Sequence, residues 1–253
     1  TAISGAIQVQ TYKNNTQAIL GWQDPAKSYS SSVLTRVNKN PGYNSPAQQV
    51  LVKADTLSRH TRLAGVFNLQ LNPNLEFSRS SASKMIQASP TGAESKKGGA
   101  GGVVAVITAN NNTEALVGSA VDMVTSSRLV VESVNRVYDM VLAGAGAKAG
   151  KFGFSGTAIY TEYNNTTRAN IASGMTYSGG SVLVNARDMT VVLAIAGSLI
   201  RGSSQGFGVS LAINDLTRNT EASIGERNGS TASSLMNIAG PLDVFSRNEG
   251  ALV

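Results

Sequence analysis

The chain has 253 residues and a 42% hydrophobic content, so it can bury a sizeable core, yet only 6% of its residues are aromatic and 26 are glycine. It carries no cysteine, one histidine and a formal charge of +6 with 14% charged residues. These numbers exclude a disulfide scaffold and a cysteine-ligated metal centre. The basic excess, densest at Lys96-Lys97, is too thin for a specific nucleic-acid surface.

In chain order, Gly5–Val9 reads as a truncated strand and Asn14–Gly21 as an Asn-rich turn leading into an apolar end. Residues 22–48 break the pattern with Trp22, Tyr29, Tyr43 and several prolines, and the spacing predicts an inserted loop or small lobe there. Val50–Ala54 and Leu63–Val66 are the next two apolar strands. Residues 69–97 form a second insertion, with a predicted short helix around 81–87 and Lys96-Lys97 at its end.

From there the chain repeats. Gly101–Ile107, Gly153–Ile159 and Gly206–Ile213 are Gly-led alternating strands, each followed by an Asn/Thr segment. The threonines of those segments, Thr113, Thr167 and Thr220, fall about 53 residues apart. A V-x-V strand follows each segment (Leu129–Ser133, Val182–Ala186, Leu242–Ser246), and an L-A strand follows the first two (Leu142–Ala145, Leu193–Ala196).

A unit made only of strands cannot bury its apolar alternation alone and must stack on its neighbours. The pattern predicts an all-β solenoid, a single segment spanning 1–253. Its units are about 1–68 (interrupted by 22–48), 98–147, 150–200 and 206–253. Fifty residues is long for one coil, and the expectation is about two coils of ~25 residues per repeat. Asn15, Thr16, Asn112, Thr113, Asn165, Thr167, Asn219 and Thr220 are the predicted ladder positions, their side chains pairing from coil to coil.

The stretches GFGVSLAINDLTRNTEASIG (206–225), NNTTRANIASG (164–174) and SVLVNARDMTVVLAIAGSLIRG (181–202) resemble the repeat arrays of giant bacterial filamentous adhesins. These are leukotoxin-type and filamentous-haemagglutinin-like exoproteins of type V secretion. The resemblance covers roughly 1–21, 49–68 and 98–253, and leaves both insertions without a counterpart. It implies a right-handed parallel β-helix at the bacterial surface or outside the cell, serving attachment or fibre assembly. Its implied partners are a host or bacterial surface glycan or protein, or further copies of itself. The start at Thr1, with no basic-then-apolar leader, reads as a processed product or a piece of something longer.

Catalytic chemistry is hard to find. His60 is the only histidine, reads as a surface residue between Arg59 and Arg62, and has no Gly-x-Ser-x-Gly elbow to serve. The acids recur singly at equivalent sites, with Glu114, Arg168 and Glu221 suggesting an exposed charge column. No cofactor or metal motif is present, and no apolar run reaches the ~18 residues of a membrane span. The expectation is therefore a non-enzyme, with Trp22, Tyr29, Tyr43, Lys96 and Lys97 as candidate contact residues in the insertions. The alternative is a β-helix polysaccharide lyase or hydrolase, which would need several acids such as Asp188 and Asp215 converging on one face.

Overall fold

A computed structural model describes residues 1–21, 34–40, 45–65, 93–202, 205–225 and 233–253. Its strands are β1 (Ala2–Leu20), β2 (Thr35–Val37), β3 (Val50–Gly65), β4 (Ala93–Ser95), β5 (Gly98–Val117) and β6 (Val121–Ala149). They continue with β7 (Phe152–Ile171), β8 (Thr176–Arg201), β9 (Gln205–Ile224), β10 (Leu235–Ile238) and β11 (Leu242–Leu252). No helix occurs among the described residues, so none there is long and apolar enough to cross a membrane.

Every strand pairing is parallel. One sheet runs β1-β5-β7-β9, and the other centres on β6 and β8, flanked by β2, β3 and β4 on one side and β10 and β11 on the other. The chain crosses from the first sheet to the second and back in each repeat, so the molecule is an all-β parallel solenoid with two long faces.

The repeat length is where structure and sequence part. A repeat of about 53 residues is one coil, not two: β5 with β6 closes the second turn, β7 with β8 the third. The V-x-V and L-A segments, separate strands in the sequence, lie within single strands of 29 residues (β6) and 26 residues (β8). Serines 126 and 127 interrupt only the register there, where β6 shifts against β8 between Thr125 and Arg128.

Strict alternation dictates this architecture. In β5, Val103, Ala105, Ile107, Ala109 and Thr113 point inward and are buried, while Val104 points out. In β6 the inward set includes Leu129, Val131, Val137 and Val141. Three interior clusters result. The widest packs Val117, Met123, Leu129, Val131, Ile171 and Tyr177 at one corner. The thinnest is built from Ala64, Val103, Ala105, Ala143 and Ala145 at the other.

Two glycines show why the thin corner must stay thin. A Cβ on Gly101 would lie 2.0 Å from the Gly146 carbonyl oxygen on the opposite sheet. Gly65 has φ +98°, and a Cβ there would lie 2.1 Å from the Gly144 carbonyl oxygen. Gly101 thus marks a close approach between the two sheets, whereas Gly144 is the partner of Gly65 on the neighbouring strand of the same sheet. Only Val103 Cγ2, 2.7 Å from a Cβ on Gly65, lies on the opposite sheet.

Candidate functional site

Trp22, Tyr29 and Tyr43, the aromatic contact residues expected in the first insertion, lie outside the described residues, as does the short helix expected around 81–87. Lys96 and Lys97 are exposed and form the bend between β4 and β5. The Lys97 carbonyl accepts from the backbone N–H of Lys151 at 3.0 Å and of Phe152 at 3.3 Å. These lysines therefore mark a corner where successive coils stack.

The ladder residues fall into three neighbouring columns. Asn14, Asn111, Asn165 and Arg218 share one register position, Asn15, Asn112, Thr166 and Asn219 the next, and Thr16, Thr113, Thr167 and Thr220 the third. The first and third columns face the interior, and the middle one faces solvent. Asn165 thus stacks on Asn111 rather than on Asn112, because β5 and β7 pair without a register shift from Gly98↔Phe152 to Val117↔Ile171, which puts Thr166 on Asn112.

Inside, the Asn14 amide donates to Asn111 Oδ1 at 2.7 Å, and Asn111 donates to Asn165 Oδ1 at 2.8 Å. Asn165 in turn donates to Thr190 Oγ1 at 2.7 Å, and Thr190 donates to Asp188 Oδ1 at 2.8 Å. Asn135 closes the far side by donating to Asp188 Oδ2 at 2.7 Å. Outside, Asn112 donates to Asn15 Oδ1 at 3.0 Å. Buried amides need hydrogen-bond partners, and the inward column gives Asn14, Asn111 and Asn165 one another, with Thr190 beyond.

A second interior cluster was not visible in the sequence. Arg62 Nε donates to Asp139 Oδ1 at 3.0 Å and Oδ2 at 2.9 Å, and its Nη2 lies 2.8 Å from Oδ2. Tyr163 donates to the same Oδ2 at 2.5 Å, and Arg62 also donates to Gln10. The Arg62 guanidinium lies over the Tyr12 ring, 4.9 Å from its centroid. Burial, with the negative charge of Asp139 second, pushes the Tyr12 phenol up to about 12. Burial and then the hydrogen bond to Asp139 push Tyr163 upward as well.

His60 borders this cluster from the inward face of β3, with its side chain still 37% exposed. Its ring centroid is 5.0 Å from that of Tyr12, and its Nδ1 is 3.9 Å from Asp139 Oδ2. Burial lowers its pKa, Arg62 lowers it further, and Asp139 opposes both. The signal was present in parity: Val52, Ala54, Thr56, Ser58, His60, Arg62 and Ala64 alternate with outward residues, so His60 shares the inward face.

The acids do not converge on a common face. Asp188 is fully buried, whereas Asp215 lies exposed on the outer face of β9. Glu114 accepts from Gln17 at 2.8 Å and from Arg168 at 2.6 Å, and Arg168 Nε lies 3.7 Å from Glu221. Gln17, Glu114, Arg168 and Glu221 are one register column, so this is an axial charge ladder. On the other sheet Lys53 pairs with Glu132 at 3.0 Å and Asn185 donates to Glu132 at 3.2 Å. No group of three or more potential metal ligands occurs among the described residues.

The remaining surface feature is apolar. On the outer face of the first sheet, Gly5, Gly102 and Gly156 floor a shallow axial groove of about 730 Å³. Ile7, Val104 and Leu211 stand on one side, and the stacked rings of Phe154 and Phe207, 6.0 Å apart, on the other. No family model matches the chain, and neither a curated protein nor a solved structure is found to be similar to it.

Proposed function

We propose that the chain is a non-catalytic structural segment of an extracellular bacterial filament or adhesin, a rod that spaces or presents contact surfaces. In this reading it belongs with the filamentous type V exoproteins its repeats resemble. It winds right-handed, as parallel crossovers almost always do. The observation that carries the reading is where the reactive side chains go. Asp139, Asp188, Arg62 and the inward asparagines are spent on partners in the next coil rather than aimed into a cleft. Chemistry on a polysaccharide would need such groups at a solvent-facing site.

Adhesive contacts then fall to the insertions. A glycan-array and host-cell binding screen with the 253-residue chain, with and without residues 22–48, tests this. Binding that is lost on the deletion supports an adhesive rod with its contacts in that insertion. Binding that is unchanged removes that assignment, and turnover of acidic polysaccharides by the purified chain contradicts the non-catalytic reading.

A further inference from the structure

The groove on the outer face of the first sheet is part of a wider apolar face. β5 and β7 each have a strand on both sides, so what they show outward belongs to the flank of the stack and to neither of its ends. Yet Val104, Phe154 and Tyr160 stand 41%, 40% and 36% exposed there. Four successive outward columns are apolar in both strands: Ala100 with Phe154, Gly102 with Gly156, Val104 with Ala158, and Val106 with Tyr160. A contiguous apolar area of more than a few hundred Å² on a folded surface marks a contact site.

The glycines of the groove say what kind of contact it is. Gly101 has no room for a Cβ, but a Cβ on Gly102 would meet nothing closer than 4.0 Å and one on Gly156 nothing closer than 3.7 Å. Neither has a positive φ. The fold therefore demands glycine at neither position, although glycine inside a strand costs stability. Such a glycine marks a place where another backbone or a ligand comes close. Beside this open floor, one column away, runs the ridge of Val104 and Ala158.

Charge sits on the two borders of this face, with opposite sign. Lys97 and Lys151, both exposed, stand at the strand entries before Gly98 and Phe152. Glu162 and Asp215 stand one over the other, two residues beyond Tyr160 and Ile213. A face that is apolar between a basic and an acidic border is complementary to itself once one copy is reversed along the strand direction. An anionic lipid surface would draw in one border and repel the other.

We propose that this face binds the same face of a second copy, about a two-fold axis parallel to the stack and midway between the Gly102 and Val104 columns. The strands of the two copies then run antiparallel in packed sheets, and each coil meets its counterpart. The Val104–Ala158 ridge of each copy lies over the Gly102–Gly156 floor of the other. The Phe154 column meets the column of the partner's Tyr160, and Lys97 and Lys151 come within reach of the partner's Glu162 and the partner's Asp215. With its borders the face measures about 40 Å by 19 Å, roughly 750 Å² per copy. A standard specific interface covers about 800 Å² per partner. The inference goes beyond the reading of the chain as a rod and does not rest on it.

Sedimentation velocity over a concentration series follows the parent, expected to dimerise, and three variants, with circular dichroism and thermal melting confirming each fold. G102T/G156T fills the floor with good strand formers. Compared at a concentration where the parent is single, it should melt no lower, yet it should stay single where the parent dimerises. E162K/D215K makes both borders basic, and K97E/K151E makes both acidic. Each alone should associate at least about ten-fold more weakly than the parent, because like charges then oppose. An equimolar mixture of the two should recover dimers. A parent that stays single at all concentrations, a threonine variant that dimerises as the parent does, or a mixture no better than its parts would overturn the pairing. So would a single parent that binds vesicles of phosphatidylcholine and phosphatidylglycerol, which would give the face to a lipid surface. Single chains that still bind a glycan or a host cell would leave the rod reading intact and remove only the pairing.

Discussion

Arg62 and Asp139, 77 residues apart, form a buried pair in which the guanidinium reaches both carboxylate oxygens. Their side chains are 6% and 0% exposed. The pair joins the first coil to the second across the inside of the solenoid. Removing one partner strands the other charge, so Arg62→Met is expected to cost about 3–5 kcal/mol. Replacing both, Arg62→Met with Asp139→Leu, should recover most of that loss, less the hydrogen bond to Tyr163. Urea unfolding of the two variants checks it. Equal losses in the single and double variants would contradict a coupled pair.

His60 ties this cluster to pH. Its folded pKa lies below the ordinary 6.5 because burial and Arg62 disfavour the imidazolium more than Asp139 favours it. A lowered folded value means the neutral ring is preferred in the native state. The contribution is therefore complete above about 6.5 and is lost as pH falls through the lowered value. Unfolding midpoints should drop between pH 7 and pH 5 more steeply for the parent than for His60→Gln. Parallel slopes would show that His60 does not feel the cluster.

The tyrosines supply a separate optical check. With its phenol pushed up to about 12, Tyr12 should stay protonated at pH 11 while the chain remains folded, and Tyr163 with it. Ultraviolet titration should find Tyr12 and Tyr163 silent until the fold opens, together with Tyr177, whose phenol is also pushed up by burial. Neutral-form preference also means that their contribution to stability holds below pH 10 and is lost as pH rises through the raised values. Tyr12→Phe should remove one late-titrating group.

Register can be tested with neighbouring asparagines. Asn111→Ala leaves the inward amides of Asn14 and Asn165 without their partner and should cost about 1–3 kcal/mol. Asn112→Ala, one residue on but facing solvent, should change stability by less than about 0.5 kcal/mol. If thermal or urea unfolding shows the reverse order, the strand is flipped by one residue.

The thin corner makes a steric prediction. Gly101→Ala drives a methyl to 2.0 Å from the Gly146 carbonyl oxygen, backbone that cannot step aside, and should lower the melting temperature by many degrees. Gly98→Ala, three residues earlier, meets nothing closer than 3.6 Å and should be tolerated. Differential scanning calorimetry separates the two.

The all-β class, the parallel stacking and the period were legible because Thr113, Thr167 and Thr220 recur at one position of a coil. The coil's true length was not. Asn111-Asn112 and Asn164-Asn165 read as turns because asparagine is a poor strand former, yet they lie inside β5 and β7. Amide pairing along the stack outweighs that propensity, and such pairing depends on neighbours more than 50 residues away. The same distance hid the Arg62–Asp139–Tyr163 cluster. His60 keeps 37% of its side chain exposed, but its flanking arginines hid that strand parity sets it against Tyr12 and Asp139.

The most direct measurement is a distance between coils. The chain has no cysteine, so spin labels attach cleanly to N15C and N219C, which share the outward column of the first and last coils. One coil per repeat puts these positions three strand spacings apart, about 14 Å between backbones. Two coils per repeat would put them roughly six spacings apart, about 29 Å. Pulsed electron spin resonance should give the short distance, and the long one would contradict the two-faced solenoid with one coil per repeat.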